Sequence, residues 1–115
     1  MPEPRYVRSQ PEQWSFEKVG IKGKIFDTSD LTNRTQHFIA ETESGHETEI
    51  VEYECDFVYY VLEGQGEFIV DGLSQSCGAG DLVVIPAGTR FTYNGKLKLL
   101  VSSTPPWWEE QEQTL

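Results

Sequence analysis

The sequence predicts an all-β fold, an antiparallel sandwich or barrel of one domain, on three observations. Short runs rich in β-branched and aromatic residues recur along the chain, separated by Gly, Pro, Asn and Asp. Asp71-Gly72 sits between two such runs as a hairpin signal. No helical periodicity persists beyond about two turns, with Trp107–Gln113 the one candidate exception.

Residues 1–18 are rich in Pro, Gln and charge and predict an arm with little structure of its own, placed against a neighbouring subunit where Trp14 and Phe16 bury. Lys22–Phe26 is the first predicted strand, stopped by the turn formers Asp27-Thr28-Ser29-Asp30. Thr35–Glu43 follows and ends at Ser44-Gly45, and Thr48–Tyr53 alternates with the period of a half-buried strand. Phe57–Leu62 is β-branched and aromatic throughout, as expected of a strand covered on both faces. Glu63-Gly64-Gln65-Gly66 turns or kinks the chain before Glu67–Val70. Leu82–Ile85, Arg90–Tyr93 and Lys96–Ser102 complete the set, with turns at Pro86-Ala87-Gly88 and Asn94-Gly95. The chain thus divides into an arm (1–18), a barrel (19–104) and a Trp-rich, acidic tail (105–115).

A length of 115 residues fits one domain, and a formal net charge of −10 disfavours nucleic acid and anionic membrane surfaces as partners. The acidic stretches at Glu41–Glu54 and Glu109–Glu112 read as a solvated face and a solvated end. No run reaches the ~18 apolar residues of a membrane span, and no secretory leader is evident. Cys55 and Cys77 have neither disulfide-framework nor metal-ligand spacing, so a cytoplasmic protein with reduced thiols is expected.

The stretch Gly80–Arg90, GDLVVIPAGTR, together with FVYYVLEGQGEFIVDG, resembles the cupin superfamily. Gly80, Pro86 and Gly88 match the second cupin motif, whose histidine place falls on Phe91 and whose asparagine place falls on Gly95, beside Asn94. Gly45 and Gly64 fit the glycines of the first motif; its histidine places then fall on Val51 and Tyr53 and its glutamate place on Phe57. A looser similarity runs to the ethanolamine-utilisation cupins, which keep VLEG and GD…IP while losing histidines. The resemblance implies a cupin-type jelly-roll β-barrel of two antiparallel sheets, commonly dimeric. It also implies that the family's metal is not carried over. Val51, Phe57 and Phe91 have nothing to donate, and Tyr53 is a poor ligand at a phenol pKa of about 10. The expectation is therefore no metal, no cofactor, and a homodimer to which Tyr60 and Leu62 contribute an outer face.

Side chains alternate along a strand. If the ligand places face the axis, then Val51, Tyr53, Phe57, Tyr59, Val61, Phe91 and Tyr93 face it together. Two readings of that interior stand side by side: an aromatic pocket for a small, sugar-like or polar metabolite, and a solid core that needs no ligand. In the first, the ligand-binding set is Val51, Tyr53, Phe57, Tyr59, Phe91 and Tyr93, with Arg90 at the rim for an anionic group. An enzymatic alternative is a metal-independent isomerase, epimerase or lyase using Tyr53 or Tyr93 with Glu49 as acid and base. A filled barrel acting only in assembly is the second alternative.

Other polar residues read as structural. His46, after Gly45 in a loop, has only Glu47 and Glu49 beside it as metal partners, and no metal is assigned there. His37 is expected to be hydrogen-bonded or exposed. Glu52, Glu54 and Asp56 have the outward parity if the strand is regular, a condition that a kink near Cys55 would break. Cys55 packs. Of Trp107 and Trp108, at least one is expected against the barrel.

Overall fold

A computed structural model describes residues 5–107 and the backbone of 112–114. The described residues include nine strands: β1 Phe16–Lys18, β2 Ile21–Phe26, β3 Gln36–Thr42, β4 Ile50–Glu52, β5 Asp56–Val70, β6 Leu73–Gly78, β7 Leu82–Ile85, β8 Phe91–Thr104 and β9 Glu112–Thr114. No helix is long and apolar enough to cross a membrane among them.

Two long strands organise the barrel. β5 and β8 pair antiparallel from Asp56↔Thr104 to Val70↔Phe91, with a bulge between Val61 and Glu63. The first half of β5 and the last half of β8 extend one sheet, in the order β7-β5-β8-β3-β2-β1. The other halves extend the second sheet, in the order β6-β5-β8-β4-β9. The two sheets therefore share their central strands, which bend from one into the other, as in a jelly roll. The bend falls where Gly66 opposes Gly95. A Cβ on Gly95 would collide with the Gln65 carbonyl oxygen, so only glycine allows the two backbones to meet there.

This corrects one sequence expectation and decides another. Asn94-Gly95 bends a continuous strand and does not end one, and of the two readings of Glu63–Gly66 the kink is the one found, inside β5. The hairpin at Asp71-Gly72 is present, with both residues at positive φ and Val70 paired to Leu73. The helix considered over Trp107–Gln113 is not formed at its end, where Glu112–Thr114 are β9 paired to β4; Trp108 lies outside the described residues. Within the segment expected to be an unstructured arm, Phe16–Lys18 joins the sheet through Lys18↔Ile21. Phe16 packs on Phe38 of the same chain (ring centroids 5.6 Å apart), and Trp14 takes Lys22 and Lys24 against its ring.

The core alternates as a pleated sheet requires. Phe57, Tyr59 and Val61 of β5 and Leu97, Leu99 and Val101 of β8 are buried, their intervening neighbours less so. At the centre, Phe57, Tyr59, Phe68, Phe91 and Tyr93 form one aromatic cluster with ring centroids 4.8–6.1 Å apart. The middle of the barrel is thus filled by side chains. The outer face of β5 and β7 is more open than the sequence suggests, with Tyr60, Leu82 and Val84 exposed.

Candidate active site

Beside the filled centre lies a pocket lined by Phe16, Lys18, Val19, Ile21, Phe38, His46, Ile50, Phe57, Tyr59, Tyr93 and Trp107. About 50 Å³ of it is wide enough inside for water, within about 470 Å³ of space counted out to solvent. The walls are apolar, and the polar groups among the described residues are an imidazole, two phenols, an ammonium and an indole N–H.

His46 is held there by backbone. Its N–H donates to the Tyr93 carbonyl at 2.9 Å, and the Thr92 hydroxyl donates to its carbonyl at 3.1 Å. Before it, Gly45 runs so close to β8 that a Cβ would strike the Tyr93 carbonyl oxygen, and its φ of 110° suits glycine alone. The Thr42 hydroxyl, buried beneath, accepts the Gly45 N–H at 2.8 Å and lies 2.8 Å from the Gly20 carbonyl oxygen, tying this turn to the one after β1. The ring is oriented as tightly. Nδ1 sits 2.7 Å from the Thr48 carbonyl oxygen, which can only accept, so Nδ1 carries the proton and Nε2 is the basic nitrogen. The ring meets Tyr93 edge-on at 5.7 Å, and Tyr93 in turn meets Tyr59 at 5.5 Å.

Burial holds the His46 pKa below its usual value; the Thr48 hydrogen bond opposes this, Lys18 adds to it and Glu47 opposes it. The imidazole is therefore neutral at pH 7. Because the folded pKa lies below the unfolded one, the unfolded chain takes up the proton first as pH falls. The stability that His46 contributes is complete above pH 6.5 and declines below it, toward the folded pKa. Denaturant midpoints should accordingly fall on acidification below 6.5 in the unmodified protein, and fall less in His46→Gln; equal slopes would contradict the assignment.

The sequence-derived ligand set divides. Phe57, Tyr59 and Tyr93 line the pocket. Phe91 is fully buried behind them, 6.1 Å from Phe57 and 5.9 Å from Tyr59 by ring centroid. Val51 and Tyr53 are not in it. β4 ends at Glu52 and the chain bends at Tyr53-Glu54, which reverses the expected parity. Ile50 faces the pocket, Glu52 is buried with its Oε1 accepting the Glu54 N–H at 2.7 Å, and Tyr53 is 56% exposed. Val51 and Tyr53 instead line an outer groove with Asp71, Gly88, Thr89 and Arg90. Glu49, a candidate acid–base residue, pairs there with Arg90 at 3.4 Å, and Asp71 lies 3.9 Å from the same guanidinium. Arg90 thus meets acidic neighbours of its own chain in this outer groove.

Sequence reasoning missed Lys18 and Trp107 as pocket residues and gave His46 no role there. The signal for His46 was Gly45, the motif glycine immediately before it. His37 lies outside the pocket, its Nδ1 2.8 Å from the Ser102 hydroxyl. Cys55 and Cys77 are buried, which raises both thiol pKa values, and the Cys55 Sγ lies 3.1 Å from the Pro105 carbonyl oxygen.

Residues 40–102, more than half of the chain, match the family described as the cupin domain. The chain belongs to the cupin domain family. Members commonly carry a metal, and the donor set of this cupin does not fit one. Where the family's imidazoles and carboxylate are expected stand Val51, Tyr53, Phe57 and Phe91. The pocket offers one imidazole, and among the described residues no three His, Cys, Asp or Glu side chains converge.

Among solved structures, this cupin is similar to the Streptomyces protein PAC13 carrying a histidine-to-glutamine substitution, with uridine: 25% identity over 97% of this chain and 92% of that one, TM-score 0.87. A structure of Pac13, a nucleoside dehydratase, is 26% identical over the same shares, TM-score 0.86. EutQ of Clostridium difficile, at 23% identity over 79% of this chain and 66% of that one with TM-score 0.66, shares the fold. No curated protein matches this cupin in sequence.

Proposed function

We propose that this cupin is a metal-independent lyase that takes a nucleoside into the pocket and removes water from it. The observation that carries the reading is the pocket's own set of one histidine and two tyrosines. In the Streptomyces protein, the residues replaced in variants with uridine are a histidine and two tyrosines. They fall at the same separations along their chain as His46, Tyr59 and Tyr93 do here.

The geometry suits the chemistry. Loss of water breaks a C–H and a C–O bond and forms a C=C bond; a base must take the carbon proton and the leaving hydroxyl must gain one. His46 serves both steps. Its bare Nε2 takes the proton, and the imidazolium so formed returns it to the departing oxygen, so atoms balance without a further reagent. An imidazole removes a carbon-bound proton at a useful rate only where a neighbouring carbonyl acidifies it, which places such a group on the substrate. Tyr59 and Tyr93 hydrogen-bond the sugar oxygens. A nucleoside exceeds the enclosed part of the pocket, so uptake uses the open part and moves the wall formed by Phe16, Lys18 and Trp107.

Calorimetric titration with uridine, and mass analysis for water loss from sugar-oxidised derivatives of uridine that carry a carbonyl beside the C–H bond, test the reading. Binding and water loss are expected, and both persist in Tyr53→Phe and Glu49→Gln, whose side chains lie on the outer face. Absence of binding to any nucleoside, or loss of activity in those two variants, would overturn it.

A further inference from the structure

We propose that Trp107 and Lys18 form a donor end of this pocket that selects a ligand presenting carbonyl oxygens, so that uridine is preferred to cytidine. The inference rests on the nucleoside reading above and extends it from reaction to base selectivity.

Trp107 follows β8, packs against the core and lines the pocket. Its indole Nε1 is buried without a hydrogen-bond partner among the described residues. An indole N–H only donates, and a buried donor with no acceptor is unfavourable until one arrives. Lys18 lays its ammonium 4.6 Å from the centre of the same ring, and it too only donates. Phe16 and Phe38, in edge contact, supply the apolar wall beside these donors. A flat ring edged with carbonyl oxygens matches this end. Cytidine replaces one ring carbonyl of uridine with an amino group, which would set donor against donor.

The test is calorimetric titration of the full chain with uridine and with cytidine, in the unmodified protein, Trp107→Phe and Lys18→Met. Trp107→Phe keeps an aromatic ring under the ammonium and removes the donor together with the rest of the indole. It is expected to weaken uridine about 5- to 10-fold and to narrow the preference over cytidine; Lys18→Met should narrow it as well. A second readout needs no substitution: the Trp107 indole N–H resonance should move downfield on adding uridine, with Trp14 as the unmoved reference. If Trp107→Phe binds uridine as the unmodified protein does, or the resonance stays put while uridine binds, this inference falls and the nucleoside reading stands. If the unmodified protein takes up neither nucleoside, both fall.

Discussion

Replacing His46 with glutamine is expected to slow water loss from the nucleoside substrate by about 10²–10⁴-fold, the usual contribution of a placed general base. Uridine affinity should change by no more than about 3-fold, since glutamine keeps the size and hydrogen-bonding capacity of the side chain. The asymmetry follows from the geometry. The Thr48 carbonyl and the Tyr93 carbonyl fix the ring and its backbone, so the function removed is that of Nε2 and not the shape of the pocket. Single-turnover rates beside calorimetric affinities would separate the two effects. A rate within a few-fold of the unmodified protein would remove His46 from the chemistry, and a loss of affinity matching the loss of rate would make it a binding residue only.

The second large effect is on stability. Phe91→Ala should cost about 3–5 kcal/mol, the range for truncating a buried aromatic. Phe91 has no exposed surface and touches Phe57 and Tyr59, which also form the floor of the pocket. Against a typical total of about 5–15 kcal/mol, that loss should lower the melting temperature by roughly 10–25 °C. Phe91→Leu, which fills more of the space, should lose less than half as much. A melting temperature for Phe91→Ala within about 3 °C of the unmodified protein would mean that the aromatic centre is not tightly packed.

The barrel was legible in the sequence because its signals are local. Leu82–Ile85 appears as predicted, and β2 and β3 differ by a residue at their ends. The break placed at Asn94-Gly95 was misread, and Gly64–Gly66 stayed open between turn and kink, because a glycine that ends a strand and one that bends it look alike until the opposing chain is known. Parity placed Phe57, Tyr59 and Tyr93 in the interior, where each strand runs unbroken. It failed for Val51 and Tyr53, since alternation counted through the bend after Glu52 assigns every side chain to the wrong face. Glu52 was misplaced outward by the same count. His46, Lys18 and Trp107 lie in a turn, in a three-residue edge strand and beyond the last long strand. None belongs to a periodic run, so no pattern announced them.

The wall of the pocket made by Phe16, Lys18 and Trp107 comes from outside residues 40–102, on either side of the family match. On the proposed reading, altering a few residues near the two extremities of the chain changes which compound is accepted, while His46, Tyr59 and Tyr93 between them stay intact.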